Sequence, residues 1–304
     1  MIKELDFDNI DEIAPILNRY RERFGENSID ENYIELIKNS VSNDSTSLYG
    51  AFDEDMSLKG IGFFGKASSR ILLIFADGNL EYEKQLVSVL CDRFLGESSF
   101  VATGGSWIPW ISDNLSQYFI EIGFTKYDRA SMMLASDVVE NLVESNLPEG
   151  MSFEIYSPSK RLEISDLIFR GNNGSVDQEV FPDFFGTPEN CSKMLENIEG
   201  NRYGEYKEGS SWVLVLDNNI IGACFMTLKN GDAGYIPDIV IEPKYRGKGL
   251  GKTILVHSMK RQIESYSNIC KIELDVTLRN NARYLYESLG FKTVEKYAMY
   301  TRMS

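Results

Sequence analysis

The sequence predicts an α/β protein of the α+β kind, with two tandem copies of one domain, each a mixed, mostly antiparallel sheet flanked by helices. Three observations predict it. The chain has 304 residues, 43% of them hydrophobic, enough for two cores of ordinary size. A segment from the middle of the chain recurs near its end at a constant offset. Each copy also pairs a strand, a polar turn and a strand upstream with a helix ending in glycine and a strand downstream.

The repeat is Asn114-Leu-Ser-Gln-Tyr-Phe-Ile-Glu-Ile-Gly-Phe124, which matches Asn281-Ala-Arg-Tyr-Leu-Tyr-Glu-Ser-Leu-Gly-Phe291 at a separation of 167 residues and stays in register to Met132 and Met299. Upstream, Ser47 to Phe52 and Leu58 to Phe64, parted by a polar turn at Asp53, parallel Trp212 to Leu216 and Ile220 to Met226, parted by Asp217-Asn-Asn. These matches divide the chain into domains at 1–135 and 151–304, joined by a connecting segment, 136–150.

In the second half, an opening strand is expected near Ser152 to Tyr156, with helices near Lys160 to Arg170 and Glu189 to Ile198. After the hairpin, the turn Asn230-Gly231 leads into a strand, Tyr235 to Ile241. Proline cannot donate to a ladder, so Pro237 marks an edge or bulge there. Leu255, Met259 and Ile263 make a helical stripe, and Lys271 to Thr277 alternates as a strand. A helix ending at Gly290 and a terminal strand pair from Lys292 to Arg302 close the unit.

Composition excludes several classes. There is one histidine, His257, and Cys91, Cys191, Cys224 and Cys270 lack the spacing of a zinc site. No metal is therefore expected, and the thiols read as buried or incidental. Among other singled-out residues, His257 lies opposite its helix's apolar stripe and reads as a surface residue. Trp107 and Trp110 read as core anchors.

The formal charge is -15, but residues 1 to 150 carry 26 acids against 12 bases, and residues 151 to 304 carry 20 against 19. No nucleic-acid partner is expected without a basic patch, whereas a phosphate-rich ligand is repelled less by the second half. No run approaches the roughly 20 apolar residues that cross a bilayer, and the N-terminus is acidic. A cytoplasmic protein with no membrane contact is expected; its oligomeric state is left open.

The chemistry centres on Arg246-Gly-Lys-Gly-Leu-Gly-Lys-Thr253, between a strand and a helix, where backbone amides and the helix dipole favour an anion. A Walker A loop requires glycine where Arg246 stands, and a dinucleotide fingerprint requires a spacing other than that of Gly247, Gly249 and Gly251. The pattern [RQ]-x-x-G-x-[GA] is met by Arg246, Gly249 and Gly251. This resembles the pyrophosphate motif of the GNAT superfamily of acyl-CoA N-acyltransferases, and Asn280 to Phe291 resembles the helix that this family sets beside the pantetheine.

The resemblance implies two tandem GNAT-like domains and acetyl-CoA as co-substrate. It places acetyl-CoA on Arg246, Gly247, Lys248, Gly249, Leu250, Gly251 and Lys252, on the splayed strand residues Ile239, Val240 and Ile241, and on Asn280 or Asn281. It implies Tyr286 as the general acid. Asp238 is the candidate base, with Tyr235 and Glu242 as rivals, and Phe181, Phe184 and Phe185 are candidates for an acceptor wall. The acceptor would be a primary amine of a small molecule or peptide. The alternatives are a non-catalytic acyl-CoA-binding module and a nucleotide binder.

At the corresponding place the first half has Ala76-Asp-Gly-Asn-Leu-Glu-Tyr-Glu83, which is acidic, and Phe119 stands where the second half has Tyr286. The first domain is expected to keep the fold without the acyl-CoA site.

Overall fold

The structure is a computed structural model describing residues 1–6, 10–25, 33–106 and 108–304. Contacts divide the chain into two units: Met1–Tyr127 with Tyr297–Ser304, and Asp128–Lys296.

The first unit begins with β1 (Ile2–Leu5), α1 (Ile10–Phe24), α2 (Tyr33–Ser42), β2 (Thr46–Phe52), β3 (Leu58–Gly65) and β4 (Arg70–Phe75). It continues with α3 (Leu80–Phe94), β5 (Phe100–Gly104), α4 (Asp113–Glu121) and the start of β6 (Thr125–Ala135). Strands β1 to β4 pair antiparallel in sequence order, and β5 joins β4 in parallel. The core packs Ile13, Leu17, Phe63, Phe75, Leu86 and Phe119, all nearly inaccessible to solvent.

The second unit takes the rest of β6, then α5 (Ser136–Asn141), β7 (Met151–Ile155), α6 (Arg161–Asn172), α7 (Val176–Val180), α8 (Pro182–Phe185) and α9 (Pro188–Glu199). There follow β8 (Trp212–Leu216), β9 (Asn219–Cys224), β10 (Thr227–Lys229), β11 (Ala233–Tyr235), β12 (Ile239–Ile241), α10 (Leu250–Ser265), β13 (Lys271–Thr277), α11 (Ala282–Leu289) and β14 (Lys292–Met303). Strands β7, β8, β9 and β12 form one antiparallel set. In another, β13 pairs antiparallel with β6 and parallel with β11, which carries β10.

The units divide inside strands. From Arg129 to Ala135, β6 pairs with Lys271–Thr277, so this end of the first sequence copy belongs to the second unit. From Met299 to Met303, β14 pairs with Phe100–Gly104, so the end of the second copy belongs to the first. The contact division therefore falls at Tyr127 and Asp128, not in the segment 136–150, which contains α5. The expected terminal strand pair is one continuous strand, β14.

The internal repeat has a physical basis in the helix ends. Gly123 and Gly290 both sit at positive φ (96° and 100°). The amides of Phe124 and Phe291 bond back to the carbonyls of Phe119 and Tyr286, at 2.9 and 3.1 Å. Both helices thus end in the same Schellman closure, which needs glycine at the left-handed position and an apolar residue after it.

Candidate functional site

The strand expected over Tyr235 to Ile241 is broken at Pro237. Before the break, β11 runs parallel to β13, and its ladder ends where the Ile236 amide bonds to the Glu273 carbonyl. After it, β12 pairs with β9 and, among the described residues, with no other strand. A proline without an N–H ends the ladder here, and the two strands part. Among the described residues no ladder joins β12 to Leu274–Thr277 of β13, and the gap between these strands is the candidate cleft.

Pairing alternation decides which backbone groups face this cleft. Asp238 accepts from the Phe225 amide, and the Glu242 amide donates to Ile221, so 238, 240 and 242 point toward β9. Ile239 and Ile241 therefore turn their backbone groups away from it. The Ile241 carbonyl is taken by Arg246 Nε at 3.0 Å, and the Ile239 amide bonds to the Asp238 carboxylate. The Ile239 carbonyl and the Ile241 amide remain turned toward the opening.

At the mouth of the cleft lies the glycine-rich turn. Gly247 and Gly249 have φ of 75° and 80°, and a Cβ added to either would meet nothing within 4 Å. Only glycine adopts this backbone without strain, and it leaves open space above the turn. Helix α10 starts at Gly249 with no side-chain cap, and its first intrahelical bond runs from the Thr253 amide to the Gly249 carbonyl. The amides of Leu250, Gly251 and Lys252 therefore have no intrahelical acceptor and point out of the helix start.

Arg246 is engaged differently from the sequence expectation of a direct phosphate ligand. Besides the Ile241 carbonyl, its guanidinium donates to the Gly171 carbonyl at 2.6 Å, tying the turn to the end of α6. Close approach makes this possible, since a Cβ on Gly171 would lie 2.4 Å from Val240 Cγ2. Lys248 is exposed and held over the Tyr245 ring, 5.3 Å from its centroid.

Deeper in the cleft, Asp238 is half-buried as a residue, while its Oδ2 is fully buried without a hydrogen-bond partner. Desolvation, aided by the Asp177 charge, pushes its pKa up to about 7, against a small opposing effect of the Ile239 amide. Tyr286 on α11 is 6% exposed, and its ring meets Phe291 edge-on at 5.9 Å. Burial raises its pKa far above the usual phenol value, and the nearby Asp238 carboxylate adds to this. The phenol thus keeps its proton throughout the physiological range.

The rivals for the base are occupied. The Tyr235 hydroxyl donates to Asp275 at 2.9 Å, and Glu242 accepts from Arg170 at 2.7 Å. Asn280 caps α11 by accepting from the Ala282 amide at 2.8 Å and donates its Nδ2 to Asp177; Asn281 is exposed.

Three residues outside the sequence expectations join this cluster: Asp177 on α7, Thr277 on β13 and Arg129 on β6. Thr277 Oγ1 bonds to Asp177 at 2.5 Å and accepts from Arg129 at 2.6 Å. The segment holding Asp177 reads as irregular, yet Ser175, followed three residues later by Gln178, is a helix-start signal, and Ser175 does cap α7. Phe181, Phe184 and Phe185 form one aromatic cluster beside it, and Arg129 lies 4.6 Å from the Phe181 ring centroid.

His257 is only 14% exposed in its side chain, not a surface residue, because it stacks on Phe153 at 3.9 Å and bonds to Glu144. Trp110 is a core residue of the first unit, and Trp107 lies outside the described residues. Cys91, Cys191 and Cys224 are buried and Cys270 is exposed.

In the first unit, the place of the glycine-rich turn is filled from within. Asn79 caps α3 by accepting from the Tyr82 amide. Glu83, 7% exposed, folds its carboxylate onto the amides of Ala76 and Gly78. Phe119 is fully buried among Trp110, Phe124 and Tyr300.

Comparison with known proteins agrees with this geometry. Residues 207–293, which contain the cleft, the turn and α11, match the acetyltransferase (GNAT) domain. This part of the second half is therefore similar to a GNAT domain. A relative of this domain is the [ribosomal protein bS18]-alanine N-acetyltransferase of Haemophilus influenzae, 34% identical over 103 residues, or 33% of this chain. The chain spans 63% of that relative's length.

Over the whole chain, the fold is similar to a GCN5-related N-acetyltransferase from Sphaerobacter thermophilus, with a TM-score of 0.58, 14% identity and 95% of that chain covered. It is likewise similar to a tandem GNAT protein from the clavulanic acid biosynthesis pathway, with a TM-score of 0.57, 10% identity and 98% covered. Both alignments cover 100% of this chain, so the GNAT fold extends beyond the matched domain to the first half. Among the described residues, no helix is long and apolar enough to cross a membrane, and no cluster of potential ligands could hold a metal.

Proposed function

We propose that the chain is an acetyl-CoA-dependent N-acetyltransferase that moves the acetyl group to a primary amine of a small molecule or peptide, by direct attack in a ternary complex. The observation that carries this reading is the pairing of the Asp238 carboxylate, whose buried Oδ2 has no hydrogen-bond partner, with the protonated Tyr286 phenol in a cleft whose mouth is a row of open helix-start amides.

The residues fit acetyl-CoA. The amides of Leu250, Gly251 and Lys252, with Lys248 beside them, offer donors and charge to a pyrophosphate. The Ile239 carbonyl and the Ile241 amide match the alternating amides of a pantetheine, as a missing strand would. Asn280 supports this wall indirectly, by capping α11.

An alkylamine has an ordinary pKa near 10.4 and must shed a proton to attack. Asp238, at about 7, is ionised above neutrality and can accept that proton as the carbon–nitrogen bond forms. When the carbon–sulfur bond breaks, Tyr286 donates its proton to the departing thiolate and regains one from solvent. The Haemophilus relative is named for an alanine acceptor, which supports a peptide amine as one candidate. In this reading the protein works in the cytoplasm, where an exposed thiol such as Cys270 stays reduced.

Thermal shift with acetyl-CoA, CoA and ATP, followed by turnover of acetyl-CoA against a panel of amines and alanine-initiated peptides, tests the proposal. Stabilisation by the CoA pair alone and amine-dependent thiol release are expected. Stabilisation without turnover on any amine would favour the acyl-CoA-binding module, and stabilisation by ATP alone would favour the nucleotide binder.

A further inference from the structure

Deepening that reading, and resting on it for its kinetic consequences, we propose that Arg129 is a positioning residue that locks Asp177, and with it the α7–α8 wall, against β13 and the start of α11. Arg129 comes from the first sequence copy yet belongs by contact to the second unit, where it lies directly opposite Thr277 in the β6–β13 register. Its side chain is 8% exposed. Nη1 donates to Thr277 Oγ1 at 2.6 Å and lies 3.7 Å from Asp177 Oδ1, while the guanidinium carbon sits over Phe181.

Asp177 is the node of this arrangement. One carboxylate oxygen accepts from Thr277 and the other from Asn280, whose own side-chain oxygen caps α11, the helix that carries Tyr286. One buried cation therefore sets the places of a short helix, an aromatic wall and the helix of the proton donor. A five-residue helix such as α7 has too few internal bonds to hold itself, so its position depends on these side-chain ties.

The charges have a second effect. Among the described residues, the groups interacting with Asp238 are Asp177 from α7, Tyr286 from α11, Cys224 from β9 and Cys191 from α9, and Asp177 is the carboxylate that acts on its charge. With Nη1 3.7 Å from Asp177 Oδ1, Arg129 is placed to offset the Asp177 charge that acts on Asp238. Removing the cation and removing the anion must consequently move the ionisation of Asp238 in opposite directions.

The test uses the full chain and its R129Q, R129K and D177N variants. Amide hydrogen exchange is followed across the unit, together with acetyl-CoA affinity and the pH profile of acetyl transfer to an alanine-initiated peptide or, if that is not accepted, to the best amine of the panel. In R129Q, exchange at residues 176–185 is expected to quicken about tenfold, with the β7–β9 sheet unchanged. Acetyl-CoA affinity should stay within about twofold, since Arg129 touches none of its proposed contacts.

The acid limb of the profile should move up by about one pH unit in R129Q and down in D177N, with R129K near wild type because it keeps the charge. Unchanged exchange at 176–185 in both R129Q and D177N would overturn the lock, as would limbs that move the same way. If the wild-type chain neither binds nor turns over acetyl-CoA, the functional reading fails, and the exchange data still decide the lock.

Discussion

At the residue scale, the proposed chemistry is divided between two side chains of opposite protonation. Tyr286 is held neutral, and its hydroxyl acts on a sulfur that gains charge only as its bond breaks. Tyr286→Phe should therefore lower kcat about 10²-fold while leaving the KM for acetyl-CoA within about threefold. Steady-state kinetics check this, and unaltered kcat would make Tyr286 a packing residue. Asp238 should give the pH profile an acid limb near pH 7, with activity rising as the carboxylate ionises. Its folded-state pKa is raised above the unfolded value, so its favourable contribution to stability is present below about pH 4 and is lost as pH rises through 7. Asp238→Asn should accordingly abolish most transfer while raising Tm at pH 8 more than at pH 5, which thermal melts at both values measure. Both residues were named as candidates from the sequence, Tyr286 through the resemblance to the acyltransferase superfamily and Asp238 as a carboxylate able to take a proton from an amine, and these variants test their roles. Arg129, Asp177 and Thr277 were not, because they meet through packing between segments 48 to 148 residues apart, which periodicity does not encode.

At the element scale, the site depends on how one strand and one helix are interrupted. Pro237 ends the β11 ladder, and Gly247 and Gly249 let the chain enter α10 with its first amides exposed. The proline break and the glycine turn were readable because each has a local cause. The short helices α7 and α8 were not, since four or five residues carry too little periodicity. Arg246 illustrates the same limit: its pattern marks the turn, but only the folded chain shows that its guanidinium bonds to the Ile241 and Gly171 carbonyls. Arg246→Met should leave these carbonyls without their donor, costing about 1–3 kcal/mol, and loosen the turn. A lower Tm and a raised KM for acetyl-CoA are expected, with kcat reduced less than in Tyr286→Phe. Kinetics and melting together would contradict this if KM and Tm both stayed at wild-type values.

At the scale of the whole molecule, one fold occurs twice, and in the proposed reading its second copy alone has an acetyl-CoA site. The duplication was visible at an offset of 167 residues because the Schellman closures at Gly123 and Gly290 require the same residue types. The exchange of strand ends was not visible, since β6 and β14 read identically whichever unit they pair in. In the first copy, Asn79 accepts from the Tyr82 amide in the first turn of α3, Glu83 turns its carboxylate onto the Ala76 and Gly78 amides just before it, and Phe119 replaces the phenol. Each chain is therefore expected to take one acetyl-CoA, at the turn from Arg246 to Gly251. Calorimetric titration of acetyl-CoA into the wild-type chain and a folded Gly249→Trp variant tests this most directly, because the added side chain would project from a backbone at φ 80° into the open space above the turn. One site per chain, lost in the variant, is the predicted result; two sites, or one site of unchanged affinity in the folded variant, would contradict it.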